Sequence, residues 1–116
     1  MIDRRVRLVI DLFENEPATS FSIAGLSRLF HVSGSHLEHL FKRDTGMTIR
    51  EFILRTRLNK AAGLLGTTDE HVRQICFAVG FSDVSNFNHA FKRTYGVSPR
   101  EYRMRIMRTR FPRPED

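Results

Sequence analysis

Residues 41–52 read FKRDTGMTIREF, and fifty positions later residues 91–102 read FKRTYGVSPREY. Each copy carries an aromatic residue, two cations, a glycine and an Arg-Glu-aromatic close. In a chain of 116 residues, such a repeat constrains the fold more than composition can, because the same local unit has to be built twice. The 41% of hydrophobic residues must then be divided between two small cores. Ten Phe and no Trp fit aromatic plugs at recurring core positions.

No segment alternates with period two, whereas apolar residues recur at helical spacing throughout. Val6, Val9, Ile10 and Phe13 mark one face of a first helix, with Asp3 as its cap and Pro17 beyond its end. Ser22 caps a short second helix running to Phe30, with Phe21 and Leu26 placed as a hydrophobic staple. A turn at residues 31–33 leads to a third helix over about 34–44. Gly46 suits a left-handed helix terminus. Thr48 and Glu51 then form a capping box that opens a long fourth helix reaching about Gly66. TTDE, residues 67–70, starts a fifth helix with Val72, Ile75 and Val79 inward. Residues 80–82 make a second turn, and Ser82 caps a sixth helix from 83 to 95, ended by Gly96. SPRE, residues 98–101, supplies a second capping box with proline at the first helical position. The seventh helix runs towards Thr109, and FPRPED reads as a frayed tail.

The expected fold is all-α: two helix-turn-helix subdomains joined by a long linker helix, about seven helices in all. The expected divisions are 1–48, 49–66 and 67–116. Ser33 and Ser82 are 49 apart, while everything after them is offset by 50. One extra residue is therefore expected after the second turn.

The third and sixth helices divide alike when turned at about 100° per residue. Leu37, Leu40 and Phe41 face one way, and Ser35, Glu38, His39, Lys42 and Arg43 the other. Phe87, Ala90 and Phe91 face inward, and Ser85, Asn88, His89, Lys92 and Arg93 outward. A helix that enters the major groove N-terminus first presents its early outward residues to base edges. Its later cations rise to the phosphates. Ser33 and Ser82, at the helix starts, can help backbone amides hold a phosphate. The competing reading, an ordinary solvated face, loses ground because two helices keep one layout. The net charge of +6, with 16 of 19 basic residues being Arg, also favours a polyanionic partner. The guanidinium fork matches phosphate and guanine edges.

The stretch VRQICFAVGFSDVSNFNHAFKRTYGVSPREYR, residues 72–103, closely resembles the signature of the AraC/XylS transcription regulators. RLNKAAGLL resembles that family's connecting helix, and LSRLFHVSGSHLEHLFKRDTG its first reading unit. The resemblance covers nearly the whole chain. It implies a sequence-specific regulator that places two recognition helices in successive major-groove segments of double-stranded DNA. It also implies contacts with RNA polymerase, often in activation. Carried over residue by residue, the base-facing positions are Ser35, Glu38 and His39, then Val84, Ser85, Asn88 and His89. Val84 comes from the resemblance alone. Phosphate contacts fall to Ser33, Lys42 and Arg43, and to Ser82, Lys92 and Arg93. Two residues depart from the family pattern. Ser27 stands where alanine is usual, which is tolerable if its hydroxyl bonds back to a helix carbonyl. Glu38 sets an acid towards a polyanion.

Most relatives carry a further sensing or dimerising domain, so this chain is expected to be either a standalone regulator or a C-terminal domain. It would bind as a monomer, or as a dimer within a longer protein. His36 and His39 lack a third ligand at zinc spacing, and Cys76 sits at a small core position. No catalytic constellation or phosphate loop stands out, so neither enzyme activity nor a cofactor is expected. One cysteine, no membrane-length apolar run and no signal-peptide pattern give a cytoplasmic expectation. An architectural DNA-binder without sequence preference is one competing function, and a helical module for an acidic protein is another.

Overall fold

A computed structural model describes residues 1–112 and 114, and these form seven helices and no strand. Arg113, Glu115 and Asp116, within the stretch read as a frayed tail, lie outside the described residues. Helix α1 spans Arg4–Asn15, and the Asp3 carboxylate accepts from the Arg5 amide at its start. Helices α2 (Ile23–Leu29) and α3 (Gly34–Thr45) are capped by Ser22 and Ser33, each accepting from the amide three residues on. The link between them turns at His31, whose φ of 56° is left-handed. Gly46 ends α3 at φ 77°. Thr48 and Glu51 close their capping box across the start of α4 (Ile49–Thr67).

Two compact units result, Met1–Thr56 and Arg57–Asp116, and the chain passes from one to the other within α4. That helix serves both. Ile49, Phe52 and Ile53 lie in the first core, and Leu58, Ala61, Ala62 and Leu65 in the second. In the first unit Val6, Val9 and Phe13 of α1 and Leu37 and Phe41 of α3 are fully buried. Phe13 meets Phe21 edge-on, as Phe41 meets Phe52. The buried Ser27 hydroxyl donates to the Ala24 carbonyl at 2.9 Å, as its place in a turn unit requires.

The second unit is built from α5 (Val72–Ala78), α6 (Val84–Tyr95) and α7 (Pro99–Arg110). Phe87 and Phe91 are fully buried, and Phe91 shares ring contacts with Phe87, Tyr95 and Tyr102. Cys76 is buried in the same core, and burial pushes its thiol pKa up.

Three expectations are corrected. TTDE does not start α5. The Thr67 and Thr68 hydroxyls donate back to the Gly63 and Leu64 carbonyls and finish α4. α5 begins after His71, whose amide donates to the Gln74 side chain. Nor does Ser82 cap α6. The Asp83 carboxylate accepts from the Asn86 amide at 2.8 Å, and Ser82 stands one residue outside the helix. The extra residue of the second copy therefore lies in the turn itself. Val32 donates to the Ser27 carbonyl and Phe81 to that of Cys76, an offset of 49, whereas the caps Ser33 and Asp83 are offset by 50. Ser82 is the insertion. The turn also solves its backbone problem twice, with His31 in one copy and Gly80, at φ 110°, in the other.

Candidate nucleic-acid interface

Each unit exposes the outward face of its second helix-turn-helix member. On α3, Ser35, His39, Lys42 and Arg43 are exposed and Glu38 is half-buried. On α6, Ser85, Asn88, His89, Lys92 and Arg93 are all exposed. Val84, carried over by resemblance alone, is half-buried and packs against the second core. With caps at Ser33 and Asp83, the faces align at a constant offset of 50: Ser35 with Ser85, Glu38 with Asn88, His39 with His89, Lys42 with Lys92 and Arg43 with Arg93. The Ser33 hydroxyl is occupied by the His36 amide, while Ser82 is exposed in the turn.

Two of these groups have intramolecular partners. The Glu38 carboxylate accepts from the Ile49 amide at 3.4 Å. Arg43 pairs with Asp44 at 2.9 Å, and the other Asp44 oxygen accepts from the Asp3 amide at 2.8 Å. The Arg43 guanidinium beside it and the Asp3 amide hold the Asp44 carboxyl below the ordinary carboxylate range. The positions offset by 50 from Asp44 and Ile49 are Thr94 and Pro99.

The Arg-rich last helix divides by role. Arg103 donates to the Leu65 and Thr68 carbonyls at 3.0 and 3.3 Å, and Arg110 to the Gly66 carbonyl at 2.7 Å. Two cations thus satisfy the open carbonyl end of α4, where they also suit its negative dipole end. Arg105 pairs with Glu101. Arg100 instead lines a groove of about 730 Å³ in the second unit. Its walls are the α6 face (Ser85, Asn88, His89, Lys92), the start of α5 (His71, Val72) and the first turns of α7 (Ser98, Pro99, Arg100, Arg103, Met104). His71 and Ser98 are parts of this surface that the helical spacing of α6 does not reveal. Their signal was there only in the proline-started helix that follows the reader. The groove has five nitrogen-bearing basic side chains and no carboxylate among its lining residues, a lining suited to an anionic backbone. Among the described residues no group of three His, Cys, Asp or Glu could hold a metal ion. Among the described residues, too, no helix is long and apolar enough to cross a membrane.

A family model described as a helix-turn-helix domain matches residues 26–105, which include both reading helices. The chain belongs to the AraC-type helix-turn-helix family. An AraC-type relative, the HTH-type transcriptional activator RhaS of Escherichia fergusonii, is 36% identical over 101 residues, 87% of this chain and 36% of that protein. The chain spans about a third of the length of such curated relatives. A probable AraC family transcriptional regulator from Rhodopseudomonas palustris CGA009 superimposes with a TM-score of 0.78 at 27% identity, over 90% of this chain and 98% of that one. The DNA-binding domain of AdpA, solved in complex with a target DNA, has the same AraC-type fold. Its TM-score is 0.86 at 23% identity, over 96% and 99% of the two chains.

Proposed function

We propose that this chain is the DNA-reading part of a sequence-specific transcription regulator. The observation that carries the reading is the α6 face. Ser85, Asn88 and His89 stand exposed in its first turns, with Lys92 and Arg93 behind them, beside a groove without carboxylates. Small polar groups that reach base edges, followed by cations that reach phosphates, are what major-groove entry requires. The α3 face repeats the layout with Ser35, His39 and Lys42. Because the two faces differ in sequence, the target should be asymmetric, with two unlike half-sites in successive major-groove segments read by one monomer.

The function of a longer protein follows as part of the same proposal. Relatives named as transcriptional activators support an activating role, which we place in the cytoplasm and assign to contact with RNA polymerase. The test is titration of the purified chain against duplexes enriched from a random pool and against their scrambled versions. Sequence-specific reading gives affinities that differ by about 10³-fold or more. Equal affinities with a steep salt dependence would identify an architectural binder. Absence of binding to either would leave the basic faces to an acidic protein.

A further inference from the structure

The two reading faces are alike in sequence layout and unlike in what their side chains are already doing. We infer that, within the DNA-reading function proposed above, base discrimination at this one pair of equivalent positions rests on Asn88 of the second unit. Its counterpart Glu38 reads no base and serves as a positioning residue for the first unit.

The contrast originates at the start of the helix that follows each reader. Ile49 is the first residue of α4, and its amide is one of the donors that a helix leaves without an internal partner. The Glu38 carboxylate takes that amide at 3.4 Å. Glu51 accepts from the Thr48 amide, so two acids gather at the positive end of the α4 dipole. Pro99 occupies the equivalent place in α7 and has no amide hydrogen to offer. The residue equivalent to Glu38 is Asn88, whose side chain is exposed and makes no hydrogen bond among the described residues. Where the following helix presents a donor, the reader carries an acceptor-only acid. Where it presents none, the reader carries an amide whose donor and acceptor both remain free. A carboxylate aimed at DNA would be repelled by the phosphates, whereas one turned to Ile49 holds α3 against the start of α4. A free Asn can pair with adenine N6 and N7.

The cations behind the readers follow the same division. Arg43 is paired with Asp44, whose side chain is only 6% exposed and also accepts from the Asp3 amide. Its charge is already balanced, so bringing it to a phosphate releases less counterion than an unpaired cation would. Thr94 replaces the acid behind Arg93, and Arg93 forms no ion pair among the described residues. The second unit has its full complement of free groups, while the first has committed two of its own to its fold.

The experiment compares the full chain with Glu38→Gln, Glu38→Ala, Asn88→Ala, Arg43→Ala and Arg93→Ala. The readouts are base preference by selection from random duplexes, salt slope and urea melting. Glutamine keeps a side-chain oxygen for the Ile49 amide but favours a different base. Glu38→Gln should therefore keep both stability and the selected sequence. Glu38→Ala should melt earlier with the selected sequence unchanged, and Asn88→Ala should lose preference at one base pair. The salt slope should fall by about one charge for Arg93→Ala and by less than half of that for Arg43→Ala. A new base selected by Glu38→Gln, or equal slope losses for the two arginines, would overturn the inference while leaving DNA reading intact. Failure of the unsubstituted chain to enrich any sequence would overturn that underlying reading, and the inference with it.

Discussion

Replacing Phe91 with alanine should unfold the second unit and spare the first. Phe91 is fully buried, with ring centroids 5.9 Å from Phe87, 4.5 Å from Tyr95 and 5.4 Å from Tyr102. Removing such a ring costs about 3–5 kcal/mol, and losing three aromatic contacts places it at the upper end of that range. A unit of about 60 residues has only about 3–9 kcal/mol to lose, at roughly 0.05–0.15 kcal/mol per residue. The two cores share no residue. The chain also contains its own reporter: both tyrosines, Tyr95 and Tyr102, pack in the second core. Near-ultraviolet circular dichroism of tyrosine therefore follows that unit, while the far-ultraviolet signal follows all seven helices. With m near about 1 kcal/mol per molar urea for so small a unit, the tyrosine midpoint should fall by about 5 M or disappear. A large helical signal should persist. Phe41→Ala should do the reverse. A Phe91→Ala protein whose tyrosine transition matches the unsubstituted chain would refute the placement of this ring at the centre of the core.

The arginines that close α4 give a second expectation. Arg103→Met leaves two partly buried carbonyls without their donor and should cost the second unit about 1–3 kcal/mol, measured by the tyrosine transition. Arg100→Met, at a groove residue with no such bond among the described residues, should change melting by no more than about 0.5 kcal/mol while weakening DNA binding. His31 holds a left-handed conformation that costs a side-chain-bearing residue about 1–2 kcal/mol, so His31→Gly should raise the stability of the first unit by a net of about 0.5–1 kcal/mol after the entropy of glycine is deducted. A lower melting point for that variant would mean that the imidazole supplies more than the strain removes. The carboxyl of Asp3 is lowered from 3.8 to about 2, first by the Arg5 side chain bonded to it and then by the Arg5 amide. A depressed carboxyl stabilises the fold at pH values above the unfolded pKa and stops doing so as pH falls through the folded one. The first unit should accordingly lose stability between about pH 4 and pH 2, and Asp3→Asn should flatten that part of an acid titration of helicity.

The features legible in the sequence were those whose causes lie within a few residues. The inward spacing of Val6, Val9, Ile10 and Phe13 fixed α1. Gly46 and Gly96 marked the left-handed ends of α3 and α6, and the Thr48/Glu51 box marked the start of α4. Local chemistry misled where it offered two answers. Ser82 and Asp83 are both good caps, and the bond from the Asn86 amide to Asp83 decides between them. Thr67 and Thr68 look like residues that open a helix, yet their hydroxyls bond backwards to finish one. The partners of Glu38, Asp44 and Arg103 stand 11, 41 and 38 residues away. Hydrophobic periodicity carries no trace of bonds at that range. The faces of α3 and α6 could therefore be read from the sequence, but not which of their polar groups were already engaged.

The central claim is that two unlike helices of one chain read DNA, and the most direct measurement is the stoichiometry and symmetry of the selected site. The purified chain should enrich an asymmetric sequence of roughly 20 bp, two half-sites about 10 bp apart, and bind it one to one. Inserting about 5 bp between the halves would turn one of them to the far side of the duplex and should abolish tight binding. A palindromic optimum occupied by two chains, or equal affinity for the spaced site, would contradict the account.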